Sequence, residues 1–179
     1  MAATKTTAPE VDWQAGIFRA IKAADVRQMP YVPDAGHSDL IRRANADPLI
    51  KAYPLTTEEE GVAAACGAWL GGERAVVLMQ SSGAGNCINM LSLLQSCRFP
   101  FLTLVTMRGE WAEFNPWQVP MGRATQGAFE LMGVTVRRVT ETTKLESEIE
   151  AALDDAFLGE QPVAVLLSQS LLGRKKWVK

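Results

Sequence analysis

Histidine is nearly absent from these 179 residues: His37 stands alone, and the three cysteines, Cys66, Cys87 and Cys97, form no C-x-x-C pair. A zinc site has barely enough ligands here, and buried free thiols are the expected state of the cysteines. An excess of one charge is missing too. Lys and Arg number 18 against 20 Asp and Glu, a formal net charge of −2, and no basic stripe is interleaved with aromatics. Nucleic acid is therefore not an expected partner. The longest apolar runs, such as Phe101 to Val105, are far too short to span a bilayer, and the opening Met1-Ala2-Ala3-Thr4-Lys5 lacks an apolar signal core. A cytoplasmic protein is the expectation. What remains is an ordinary globular composition, 47% hydrophobic and 21% charged, long enough to bury a core as one domain.

Hydrophobic period organises the chain. Residues 1–11 read as a loose tail, 12–172 as a single domain, and 173–179 as a short basic tail. Asp12 is placed to cap a helix carrying Trp13, Ile17 and Ile21. Met29 to Val32, Leu49 to Tyr53, Ala75 to Met79, Phe101 to Thr106, Val134 to Val139 and Val163 to Leu167 read as strands. Helical patterns alternate with them, among them 121–131 and a helix opened by a Thr143-x-x-Glu146 capping box. The class this predicts is α/β: a parallel sheet of about six strands with helices on both faces.

The segment 57–69 carries the most information. Three consecutive glutamates, Glu58 to Glu60, open a stretch of small residues. Carboxylates suit a helix start, where N–H groups lack partners and the dipole favours negative charge. Thr57-x-x-Glu60 reads as a capping box, which occupies Glu60. Glu58 and Glu59 have no evident structural task.

Parallel sheets bind ligands beyond the carboxyl ends of their strands. Three polar clusters fall there: Asp34 to His37, Gln80 to Asn86, and Arg108 to Gln118. Ser81-Ser82-Gly83-Ala84-Gly85-Asn86 reads as a loop that either cradles an anion or simply joins strand to helix. It is neither a dinucleotide fingerprint nor a Walker loop. The stretch 108–122 is long and aromatic, with Trp111, Phe114 and Trp117, and reads as a partner interface rather than a loop folded on its own core. His37 stands evenly between satisfied loop residue and substrate contact.

Several segments agree in order with one family. Val32-Pro33-Asp34-Ala35-Gly36-His37, the stretch 56–72, Leu78 to Asn86, Arg108-Gly109-Glu110 and Gln118 to Thr125 resemble the alpha subunits of sulfopyruvate decarboxylase, over roughly residues 13 to 170. Phosphonopyruvate decarboxylases share much of the pattern. The resemblance implies the pyrimidine-binding (Pyr) domain of a thiamine-diphosphate enzyme that decarboxylates a 2-keto acid, either sulfopyruvate or phosphonopyruvate. It also implies that a glutamate at the start of the small-residue helix contacts the aminopyrimidine ring and promotes deprotonation of the thiazolium carbon. Related decarboxylases place a glycine nine residues after that glutamate. Counting back from Gly67 favours Glu58, with Glu59 as the alternative.

By the same resemblance, Ser81, Ser82, Gly83 and Asn86 would bind cofactor, and His37 would join the catalytic residues. Arg108 or Arg123 would hold the sulfonate or phosphonate. Diphosphate-binding halves of these enzymes carry Gly-Asp-Gly followed by Asn-Asn, which brings in magnesium; neither occurs here. A beta subunit bearing that motif and holding the Mg2+ is therefore expected, in a hetero-oligomer with active sites at the interface. A reading of another class, a non-catalytic flavodoxin-like anion-binding module, stays open beside it.

Overall fold

A computed structural model describes residues 12–173. The two expected tails, 1–11 and the part of 173–179 beyond Gly173, lie outside the described residues. Six strands form one sheet in the order β2-β1-β3-β4-β6-β5, with every pair parallel. They are β1 (Val26–Tyr31), β2 (Lys51–Pro54), β3 (Arg74–Gln80), β4 (Phe101–Thr106), β5 (Thr135–Val139) and β6 (Pro162–Leu167). β4 is buried at every position and β3 and β6 at nearly every one, while edge strand β2 has no buried residue. That is why the three inner strands read as unbroken apolar runs.

Successive strand residues serve opposite faces. Val76, Leu78, Leu102, Leu104 and Val165 meet α1 (Trp13–Ala23), α2 (Ser38–Ala46) and α7 (Thr142–Phe157) through Ile17, Ile21, Leu40 and Ile149. Val77, Met79, Val105 and Leu166 meet α3 (Glu58–Leu70), α4 (Ser81–Cys87) and α6 (Val119–Leu131) through Val62, Ala65, Ala84 and Phe129. Helices thus cover both faces. The small residues of α3 have a direct use, since a Cβ at Gly61 would stand 2.7 Å from Val77 Cγ1 and 2.9 Å from Leu55 Cδ1. The helix lies that close to β3.

Chain direction across the sheet reverses between β1 and β3 and again between β4 and β6. The carboxyl ends of these four strands form the crevice where such sheets take ligands. No helix among the described residues is long and apolar enough to cross a membrane.

Local details correct three expectations. Residues 81–87 are not a loop: they form α4, which starts directly after β3 and is followed by α5 (Ser92–Cys97). Thr57 occupies the cap position of α3 but makes no side-chain cap bond; Glu60 reaches back one residue further, its carboxylate accepting from the Thr56 N–H at 2.9 Å. The Thr143–Glu146 box does not form, because the helix already begins at Thr142 and Glu146 accepts from Arg19 of α1 at 2.9 Å. Asp12, as expected, accepts from the Ala15 N–H at 2.9 Å.

Candidate active site

The first turn of α3, directly after β2, places Glu58 on the carboxyl edge of the sheet, only 8% exposed. Its Oε2 accepts from Asn86 Nδ2 at 2.9 Å. A Cβ at Gly83 would overlap the Glu58 carboxyl group, so the carboxyl lies directly on the α4 backbone. Gly83 and Asn86 are three apart and share one face of the helix, which is why both meet the same side chain. Glu59 is half-buried, and its Oε2 is sealed from solvent without a hydrogen-bond partner among the described residues. Both carboxylates lie near the buried Cys87, whose thiol is pushed up to about 12, first by burial and then by these charges.

The other candidates divide. The sequence leaves His37 between loop residue and substrate contact; in the structure it is 1% exposed, with Nε2 3.1 Å from both the Met79 and Leu104 carbonyl oxygens. Carbonyls only accept, so Nε2 carries the hydrogen. Burial holds its pKa below the ordinary histidine value, against the raising effect of Asp34. His37 therefore ties β3 to β4, a structural task that the sequence left open beside a substrate contact.

Ser81 is fully buried: its Oγ accepts from the Arg108 N–H at 3.0 Å and its carbonyl accepts from Thr125 Oγ1 at 3.2 Å. Those bonds occupy Ser81, whereas Ser82 stays half-exposed and donates to Gln80 Oε1 at 2.8 Å. Arg108 is not a free cation. Its Nε and a terminal nitrogen bind Glu113 at 2.7 and 2.6 Å, and its guanidinium lies 5.5 Å from the Phe114 ring centre. Of the two arginines proposed for an anion, Arg123 alone is exposed and without an ion pair among the described residues.

Two carboxylate hubs organise the crevice. Asp34 Oδ2 accepts from the Gly36 N–H and from Thr106 Oγ1, each at 2.8 Å, and Oδ1 accepts from Gln80 Nε2 at 2.7 Å. It thereby ties the ends of β1, β3 and β4 together. Glu113 accepts from Arg108, the Gly109 and Asn115 N–H groups and Gln169 Nε2, and the Arg108 guanidinium in particular holds its carboxyl down at about 2. Gln169, in α8 (Gln169–Leu172), also accepts from the Glu110 and Trp111 N–H groups at 3.1 and 3.0 Å. The aromatic loop is thus fastened to the sheet while Trp117 is left 83% and Trp111 46% exposed. Asp34 had a visible signal, an acid before Ala-Gly at a strand end. Glu113 draws most of its donors from its own loop, Arg108, Gly109 and Asn115, and Gln169 alone lies 56 residues away.

A parallel α/β domain with a buried acid at the carboxyl edge of its sheet defines the class. The chain superposes on a solved 2-oxoglutarate:ferredoxin oxidoreductase from Magnetococcus marinus with TM-score 0.74 and 16% identity, covering 92% of this chain and 31% of the other. At that identity the likeness concerns the fold. No protein-family model matches the chain. Among curated proteins, the sulfopyruvate decarboxylase subunit alpha of Methanothermobacter thermautotrophicus is 33% identical over 162 residues, 90% of this chain and 98% of its own length. The phosphonopyruvate decarboxylase of Streptomyces viridochromogenes is 32% identical over 161 residues, 88% of this chain but 41% of that protein. This chain belongs to the sulfopyruvate decarboxylase alpha-subunit family.

Proposed function

We propose that this chain is the pyrimidine-binding alpha subunit of a thiamine-diphosphate-dependent decarboxylase that converts sulfopyruvate to sulfoacetaldehyde and carbon dioxide. The observation that carries the reading is Glu58: a nearly buried carboxyl at a helix start, pressed on the bare backbone of Gly83 at the sheet's carboxyl edge. The cradle fits the cofactor's aminopyrimidine, because the residues present supply one acid whose position Gly83 and Asn86 fix. Glu58 is the residue that would hold the ring, and Glu59 the alternative. Thiamine diphosphate, when bound, supplies an electron sink for the pair left behind as carbon dioxide departs. Glu58 serves by exchanging a proton at its carboxyl.

The relatives' lengths support a partner. This chain spans almost the whole of proteins named subunit alpha but less than half of the longer phosphonopyruvate decarboxylase. With no Gly-Asp-Gly or Asn-Asn in the sequence, the diphosphate and its Mg2+ fall to a second subunit. Arg123 is the proposed cation for the substrate's sulfonate. Phosphonopyruvate is the second reading, favoured by the 32% match, and the two acids assayed side by side on the reconstituted complex decide between them. Glu58→Gln is expected to lower the decarboxylation rate roughly 10²–10⁴-fold, the usual share of a proton-transferring group, with assembly unchanged by gel filtration. An intact rate would leave a non-catalytic anion-binding module as the better account.

A further inference from the structure

We propose that Asn86 is a positioning residue that decides which oxygen of the Glu58 carboxyl carries the mobile proton, an inference that rests on the cofactor reading above. Asn86 Nδ2 donates to Oε2 at 2.9 Å. Oε1 makes no hydrogen bond among the described residues, yet it is not among the sealed side-chain atoms that lack one. One oxygen is therefore tethered by a side chain, and the other lies on Gly83 without a hydrogen-bond partner among the described residues. A carboxamide N–H donates best to the oxygen that holds no proton, so this bond biases a proton on the carboxyl away from Oε2. A proton taken up by Glu58 is thereby directed to Oε1.

The sequence builds this through spacing. Gly83 lets Oε1 lie against α4, and Asn86, three residues further along the same face, binds the other oxygen, Oε2. With a side chain at position 83 the carboxyl would be pushed away from Asn86. Asn86 itself is exposed, so removing its amide opens no hole in the core. Its influence on the reaction passes through Glu58.

The test uses the chain in complex with its partner subunit and compares Asn86→Leu, Asn86→Ala, Glu58→Gln and the two double variants. Turnover is measured beside thiamine diphosphate affinity by calorimetric titration, with thermal midpoints as a check of the fold. Each Asn86 variant is expected to lower kcat about 10- to 100-fold, the range for a hydrogen bond to a charged group, and to leave KM within about twofold. Cofactor affinity should fall about 3- to 10-fold, because a misplaced carboxyl meets the ring poorly. In the Glu58→Gln background the same changes should move the cofactor Kd by less than about twofold, since a residue acting through another has nothing left to act on. An equal loss in both backgrounds would overturn the proposal in favour of direct contact with the cofactor. Unchanged kcat and Kd in the Asn86 variants, with Glu58→Gln inactive, would overturn it and leave the cofactor reading standing. A fully active Glu58→Gln would remove both.

Discussion

His37 shows what a single buried ring contributes. Its Nε2–H is shared between the Met79 and Leu104 carbonyls, and burial holds the folded pKa below the unfolded value of 6.5, so the neutral form belongs to the fold. The resulting stability is present above pH 6.5 and is lost as pH falls toward the folded value, because the unfolded ring takes up a proton that the folded one resists. Urea midpoints should therefore decline below about pH 6.5, and His37→Asn should flatten that decline while lowering the midpoint throughout. The thiols separate on the same physical ground. Burial pushes Cys66 to about 11 and Cys87 to about 12, whereas Cys97 is exposed, a correction to the expectation that all three are buried. A thiol-specific disulfide reagent at pH 8 should titrate Cys97 alone in the native chain and all three after denaturation, because thiolate and access are both required.

Elements that obey local pattern were legible, and those fixed by distant partners were not. β4 and β6 stand where apolar runs predict them, since a strand covered on both faces needs apolar residues at every position. α4 was hidden because Ser, Gly and Asn have the composition of a turn; its helix depends on packing against α3, α6 and the Glu58 carboxyl. The aromatic segment between β4 and α6 was legible as a long connection but not in construction. It is folded on its own chain, with Glu113 as its latch, while Trp111 and Trp117 stay exposed. Glu113→Gln would leave the nearly buried Arg108 without its charge partner, a change that costs about 3 kcal/mol, and limited proteolysis near Trp111 should accelerate while α1 and α7 stay protected. The latch has a defined acid range. The folded carboxyl sits at about 2 against 4.5 for the free group, so its contribution is complete above pH 4.5 and drains away as pH falls toward 2.

The whole molecule presents its chemistry on one edge. The ends of β1, β3, β4 and β6 and the start of α3 bring together Asp34, Glu58, Ser82, Asn86 and Glu113, from segments spread across 80 residues of sequence. The α/β class and the edge that would carry the site follow from alternating periods alone. The Asp34 hub shows in part, as an acid at a strand end, whereas nothing local announces the reach of Glu113 to Gln169. That edge also carries the exposed Trp117, which a rigid latch holds out to solvent. Trp117→Asp should weaken association with the partner subunit by about 30-fold, the effect of losing a central aromatic contact worth about 2 kcal/mol, as read by analytical ultracentrifugation of the mixed subunits. The isolated chain should show no turnover. Full activity without the partner would contradict the two-subunit reading at this scale.

The close seat of α3 on β3 has a consequence for how such a protein can change over generations. Gly61 against Val77, and Gly83 against Glu58, leave no room for even one added methyl group, so the acid and its support are frozen as a unit. The crevice's other wall is a surface segment fastened by side chains, and it can be rebuilt one residue at a time. Under the proposed function, divergence between sulfonate and phosphonate preference is written in that wall and in Arg123, while α3 is inherited whole.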